Sequence, residues 1–346
     1  MISVNDCLTK AVRVAREKLG ARYRLLHEKF GPPAEHSALS SVHFLMEEYQ
    51  EPPPLAPIAP YRMSVPPLEI VHKTEYLQHP GRRGRLRVDL SFPREYTDEA
   101  LPTVVISPGL GAHRTATRYV EQHLAGCGFL VVRPTHAGSD WTAVALKTPL
   151  GAFTRTELRR RLDELSATLE ALERGTWDAP RCGRLCLMGH SFGALTCSLF
   201  AGLRAQGIEV RSPSSVDSLI ILSPYGNSFP TQRLGIEPES FRELKAPTLF
   251  ISGTKDDLWT LGRGSRGHLE PYLLCQAPVK THLLIGGTRH GHFSEIFGWV
   301  RRDTKIMVNS TVAAFLDAHM KAETAGVQYL ESHLPLVALE HGSWVL

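Results

Sequence analysis

The sequence predicts an α/β protein built on a mostly parallel β-sheet with helices on both faces. Two observations point there. Short, nearly continuous apolar runs such as TVVIS (103–107), FLVVR (129–133) and SLIILS (218–223) have the character of strands buried on both faces. Helical stretches alternate with them, the pattern of helices covering a parallel sheet. Composition agrees with a folded protein: of 346 residues, 42% are hydrophobic and 21% charged. That excludes a disordered chain, a collagen-like repeat and a small disulfide scaffold. A formal net charge of +4 is too mild to indicate nucleic-acid binding.

Residues 4–30 read as an amphipathic helix. Leu8, Val12, Ala15, Leu19, Leu26 and Phe30 share one face, and Lys10, Arg13, Arg16, Lys18, Arg22 and Arg24 lie on the other. Gly31-Pro32-Pro33 stops it. The expectation is a helix docked on its own protein, on a second copy as a homodimer, or on a carrier protein; such basic helices also rest on membrane surfaces. Segment 51–67 holds seven prolines and reads as an extended linker. Charges interrupt every apolar stretch near the N-terminus, so no secretory signal is expected. No run reaches the roughly 18 apolar residues of a membrane span. A cytoplasmic protein is expected.

From residue 68 the strands begin. Segments 68–77 and 86–92 read as strands joined through His79-Pro80-Gly81. TVVIS leads into a Gly-rich turn, residues 114–126 look helical, and FLVVR is the next strand. Residues 156–174 form a strong helix, with Leu158, Leu162, Leu165, Leu169 and Leu172 on one face; its Arg159-Arg160-Arg161 run reads as a solvated face. RLCLMG (184–189) is a strand running into a helix over 191–205. SLIILS, TLFIS (248–252) and HLLIG (282–286) are further buried strands, and 304–320 is the last clear helix. The expected organisation is a helical arm and linker over 1–67, a catalytic domain over 68–322 and a tail over 323–346. Cys7, Cys127, Cys182, Cys186, Cys197 and Cys275 form no paired CxxC motifs, so free, buried thiols are expected and no zinc site.

The chemistry centres on Gly189-His190-Ser191-Phe192-Gly193, which fits G-x-S-x-G between a strand and a helix. A serine there sits on a sharp turn with its Oγ projecting outward, and flanking glycines let the backbone turn without clashes. A serine hydroxyl alone is a weak nucleophile and needs a base and a group to orient that base. In such sites an acid and then a histidine follow the serine in chain order. The strand TLFIS is followed by Asp256 and Asp257, and HLLIG by His290 and His292. Ser191, Asp256 and His290 form the expected triad, with Asp257 and His292 as alternates. His290 and His292 could also be a metal pair, but no further ligand cluster accompanies them, so no metal and no cofactor are expected. The oxyanion hole is assigned to the N–H groups of Phe192 and of Leu110, in the loop Ser107-Pro108-Gly109-Leu110-Gly111.

Taken together, residues 107–140, GHSFGA (189–194) and GGTRHGHFSE (286–295) resemble the α/β-hydrolases. Within them, the chain is similar to the group of platelet-activating-factor acetylhydrolases and predicted dienelactone hydrolases. The resemblance implies an α/β-hydrolase fold, Ser191 as nucleophile, His290 as base, Leu110 and Phe192 as oxyanion donors, and metal-independent ester cleavage. The chain departs from that group in three ways, one being Thr135-His136-Ala137-Gly138-Ser139-Asp140 where the group has an Asp-His-Pro-Gly-Ser-Asp type of block. Pro108 replaces the histidine of the group's Ser-His-Gly-Leu-Gly loop, and ILSPYGN lacks the acid that the acetylhydrolases carry after the strand that follows the nucleophile helix.

The expected function is a serine esterase, lipase-like, acting on a small-molecule carboxylic ester or thioester through an acyl-enzyme. The same triad would serve an acyltransferase or a thioesterase-like release or cyclisation enzyme. A non-catalytic hydrolase-like binding protein is the third reading. Loop position makes Trp141, Tyr225, Phe229, Trp259 and Phe293 the candidate pocket residues.

Overall fold

The computed structural model describes residues 60–62, 67–79, 84–97, 100–112, 114–137, 153–210, 212, 214–258, 260, 264–295, 300–333, 337–338 and 344–345. The expected N-terminal helix, most of the proline-rich linker, Cys7, Trp141 and Trp259 lie outside the described residues.

The fold is α/β with a mostly parallel sheet. Its strands are β1 (Ile70–Leu77), β2 (Leu86–Pro93), β3 (Ala100–Ser107), β4 (Leu130–Pro134), β5 (Arg181–His190), β6 (Ser218–Leu222), β7 (Thr248–Gly253) and β8 (Lys280–Ile285), with two-residue strands β9 (Val337–Ala338) and β10 (Trp344–Val345). They lie in the order β1-β2-β4-β3-β5-β6-β7-β8-β10-β9. Strands β3 to β8 run parallel to one another, while β1, β2 and β4 pair antiparallel in turn.

The helices are α1 (Arg118–Gly126), α2 (Arg155–Glu173), α3 (Phe192–Phe200), α4 (Phe229–Leu234), α5 (Glu270–Leu274), α6 (Arg302–Met320) and α7 (Thr324–His333). Strand alternation sends neighbouring residues into different layers. Val105, Leu187, Leu219 and Ile221 meet Leu158, Leu165 and Leu169 of α2 and Leu195 and Leu199 of α3. Val104, Ile106, Met188 and Ile220 meet Val120 and Leu124 of α1, Val308, Val312 and Phe315 of α6, and Leu330 of α7. Both faces are thus covered, which is why these strands read as continuous apolar runs.

Local signals set the element ends. Thr154 caps α2 by accepting from the Glu157 N–H at 3.2 Å, a Thr-x-x-Glu start. The helix after Ser191 stops at Phe200 rather than 205, because Gly202 takes φ 119° and the Leu203 N–H turns back to the Ser198 carbonyl. Helix α7 packs on α6 beyond residue 322, where the sequence places only a tail. The end of the linker is anchored on the same side. Tyr61 N–H donates to Ser310 Oγ and its hydroxyl to Asp317 Oδ2, both at 3.0 Å. Arg62 Nε lies 2.6 Å from Asp317 Oδ2. Among the described residues, no helix is long and apolar enough to cross a membrane. The five described cysteines are free: Cys186, Cys197 and Cys275 are buried, and Cys127 and Cys182 half-buried.

One expectation fails on α2. Arg159 is exposed and Arg160 half-exposed, but Arg161 is fully buried, so the arginine run is not one solvated face. At 3.6 residues per turn, three consecutive positions span most of the circumference, and the third points at the sheet.

His190, which is buried, and His123 and His282, which are half-buried, are held as neutral rings. Desolvation lowers His123 to about 4 and His282 to about 4, and desolvation followed by the nearby His290 lowers His190 to about 3. The unfolded chain binds protons on these rings below about pH 6.5, whereas the folded chain does not. Their stabilising effect is therefore complete above about pH 6.5 and is lost as pH falls toward their folded values. Urea unfolding at pH values from about 7.5 to 4.5 should show that loss, and His282→Gln should flatten the slope by up to one bound proton.

Candidate active site

The site forms where the C-terminal ends of β3, β5, β6, β7 and β8 converge. Ser191 occupies the turn between β5 and α3 at φ 58°, ψ −119°, a strained conformation for a residue with a side chain. The neighbouring glycines explain how the turn is made. A Cβ on Gly189 would collide with the Gly193 backbone, and one on Gly193 with the Ser107 carbonyl. Helix α3 therefore starts in direct contact with the end of β3, and Ser191 is lifted above it.

From Ser191 a chain of polar contacts leads to Asp256. Ser191 Oγ lies 3.0 Å from the Tyr225 hydroxyl, which lies 3.2 Å from His290 Nε2. His290 Nδ1 lies 3.0 Å from Asp256 Oδ1. The polarity follows from the acid: His290 Nδ1–H donates to the carboxylate, so Nε2 accepts from Tyr225, whose oxygen accepts from Ser191. Ser191 and His290 share no direct hydrogen bond, because Tyr225 stands between them. Burial pushes the Tyr225 phenol well above its ordinary range.

Asp256 is fully buried at the end of β7 and carries further contacts. Ser223 donates to Oδ2 at 2.5 Å, and His268 Nε2 lies 3.0 Å from Oδ1. Burial would raise this carboxyl, but the charge and hydrogen bonds of His268 and His290 outweigh burial and hold it well below the ordinary carboxylate range. His190 supports the base from the other side: its Nε2–H donates to the His290 carbonyl at 3.1 Å, and the two rings lie 4.9 Å apart.

The expected oxyanion loop runs beside the serine. A Cβ on Gly109 would sit 3.2 Å from His190 Nδ1 and 3.3 Å from Ser191 Cβ, so Leu110 follows a segment in close contact with the turn. Phe192 opens α3 with its ring buried 5.1 Å from Phe153 and under the Arg161 guanidinium, whose carbon is 4.6 Å from the ring centre. Arg161 Nη1 donates to the Pro108 carbonyl at 3.0 Å. One turn on, Glu164 accepts from the Ala137 N–H at 3.1 Å and bonds His136 Nδ1 at 2.9 Å, while His136 Nε2 reaches Ser107 Oγ at 3.0 Å. Helix α2 thus ties down the loops after both β3 and β4.

Of each expected pair, one member enters the cluster. Asp257 is exposed, and its carbonyl accepts from Thr260 Oγ1 at 3.1 Å. His292 is half-exposed, with Nδ1 3.3 Å from the Arg289 N–H. Tyr225, expected as a pocket wall, is instead part of the hydrogen-bond chain. Phe293 is fully buried 6.1 Å from His190, and Phe229 is half-buried against the α2–α3 core. The sequence assigns no site role to His268 or Ser223, names His190 only within the G-x-S-x-G motif, and places Arg161 in a solvated run. Ser223 directly follows an apolar strand, a place where polar residues signal a site. His268 ends a short 3₁₀ turn, Gly264–His268, with no such cue.

Asp256, His268 and His290 bring their donor atoms within 4.8 Å of one another, a grouping that can hold a metal ion. His290 Nδ1 is hydrogen-bonded to Asp256 Oδ1, and His268 Nε2 lies 3.0 Å from the same oxygen as an ion-pair contact. Comparison with protein-family models and with curated protein sequences finds no match for this chain.

Arg161→Met removes the buried donor to Pro108. Urea denaturation should show a loss of about 1–3 kcal/mol, the cost of an unpaired buried acceptor. Arg159→Met on the exposed face should change stability by less than about 0.5 kcal/mol.

Proposed function

We propose that this chain has the α/β-hydrolase fold and is a serine hydrolase that cleaves carboxylic esters or thioesters through an acyl-enzyme. One observation carries the reading: a serine on a strained strand-to-helix turn is linked through hydrogen bonds to a histidine and a buried carboxylate supplied by later strands. The chain order of serine, acid and histidine is that of this class of enzyme.

In the proposed reaction, Ser191 Oγ attacks the ester carbonyl and its proton passes to His290. The N–H groups of Phe192 and Leu110 hold the oxyanion. Asp256 keeps His290 in the tautomer that presents Nε2 as acceptor. The protonated His290 then delivers its proton to the leaving alcohol or thiol. Water, deprotonated by the same ring, releases the acid and restores Ser191.

Tyr225 adds a constraint. Its raised phenol rules out a free phenolate as a stopping point, so the proton crosses in one concerted movement: Tyr225 gives its proton to His290 as it takes that of Ser191. Tyr225→Phe breaks this path. Ester hydrolysis should fall about 10²-fold in kcat with KM little changed, the scale of a lost proton-transfer contribution. Unchanged or increased kcat would mean that Tyr225 swings aside and Ser191 meets His290 directly.

The central test is labelling. A fluorophosphonate probe should modify the wild-type chain on Ser191, and Ser191→Ala should lose both labelling and p-nitrophenyl ester hydrolysis. A folded Ser191→Ala that hydrolyses the ester at the wild-type rate would overturn the reading.

A further inference from the structure

The proposed triad needs one histidine on Asp256, yet the structure provides two. His268 is fully buried, and its two ring nitrogens face different acceptors. Nδ1 lies in short contact with the Pro224 carbonyl oxygen, and Nε2 lies 3.0 Å from Asp256 Oδ1. A backbone carbonyl can only accept, so Nδ1 carries a proton. Nε2 then meets an oxygen that already accepts from His290, on a carboxyl whose other oxygen accepts from Ser223. Two donors, His290 and Ser223, bond the carboxyl and favour its ionised form; a bare lone pair on Nε2 would be repelled by that charge at 3.0 Å, so Nε2 carries a proton too.

We propose that His268 is a standing imidazolium that forms an internal ion pair with Asp256 and thereby sets the charge that His290 feels. This rests on the reading of His290 as the base. It makes His268 a positioning residue: it acts through Asp256 and reaches neither Ser191 nor a substrate. Paired with His268, the carboxylate presents little net charge to His290. After His290 takes the serine proton, two cations stand with ring centres 5.7 Å apart. That repulsion favours handing the proton to the leaving group.

Among the described residues, the groups that face this pair are the following. Tyr225 faces His268 from the end of β6 with ring centres 5.4 Å apart, and His190 faces His290 from the turn after β5. Glu270 of α5 accepts from the Asn227 N–H at 2.5 Å. Arg289 and His292 flank His290 on its own loop at the exposed rim. Burial alone would lower His268, but the Asp256 charge and the hydrogen bonds to Asp256 and the Pro224 and Leu258 backbone raise it.

Two measurements test the proposal. The first is histidine-ring ¹⁵N NMR of the full wild-type chain at about pH 8.5, roughly two units above the ordinary imidazole range. One ring should retain both N–H protons with charged-ring nitrogen shifts, and that signal should be missing in His268→Gln. Only neutral rings, or a stoichiometric metal bridging the three groups by elemental analysis, would overturn the proposal. The second is the pH profile of kcat/KM in His268→Gln. Its acid limb should move about one unit to higher pH, as expected for loss of a cation across this distance. A profile that drops without moving would assign His268 a merely structural role and also overturn the proposal. The NMR result does not depend on activity, so it decides the charge of His268 even if wild-type Ser191 takes no fluorophosphonate and the hydrolase reading fails.

Discussion

The close approach of α3 to the end of β3 is the constraint on which the rest of the site depends. Gly193 lies against the Ser107 carbonyl, and Gly189 against Gly193, with no room for a Cβ at either. A chain packed this tightly must turn within one residue, and that residue, Ser191, takes the left-handed φ. The turn lifts the Ser191 side chain off the sheet, buries the Phe192 ring beneath and brings Gly109 against His190 and Ser191. The strain at Ser191, of order 1–3 kcal/mol, persists because the sheet on one side and α3 on the other over-determine it.

Around that turn, buried charges tie the loops at the strand ends in place. Arg161 and Glu164, one turn apart on α2, hold the loops after β3 and β4. Asp256 gathers Ser223, His268 and His290 from three different segments. A buried charge without partners is costly, so each of these groups has only a narrow set of stable positions. The result is a set of loops fixed by polar contacts at the carboxyl ends of the strands, where open α/β sheets place their ligand sites.

Much of the fold was legible in the chain. Continuous apolar runs marked β3 to β8, because strands covered on both faces have no polar side. The leucine spacing marked α2. Between Asp256 and Asp257, and between His290 and His292, the sequence favoured the first of each pair and kept the second as an alternate; the backbone at the ends of β7 and β8 turns that first member inward and leaves the other toward solvent. The run Arg159-Arg160-Arg161 looked uniform as text and divided on the helix, because successive residues point about 100° apart.

What the sequence determined by itself is local: the alternation of strands and helices, the glycine-flanked serine at a strand end, and the acid and histidine that follow it. Those signals depend on a few neighbouring residues and on side-chain periodicity. Only the tertiary structure decided that Tyr225 stands between Ser191 and His290, that His268 joins His290 on Asp256, and that Arg161 is buried beneath the loop after β3. These contacts join residues separated by tens of positions along the chain. They exist because sheet order brings separate strand ends together, and no local pattern encodes which side chains then face one another.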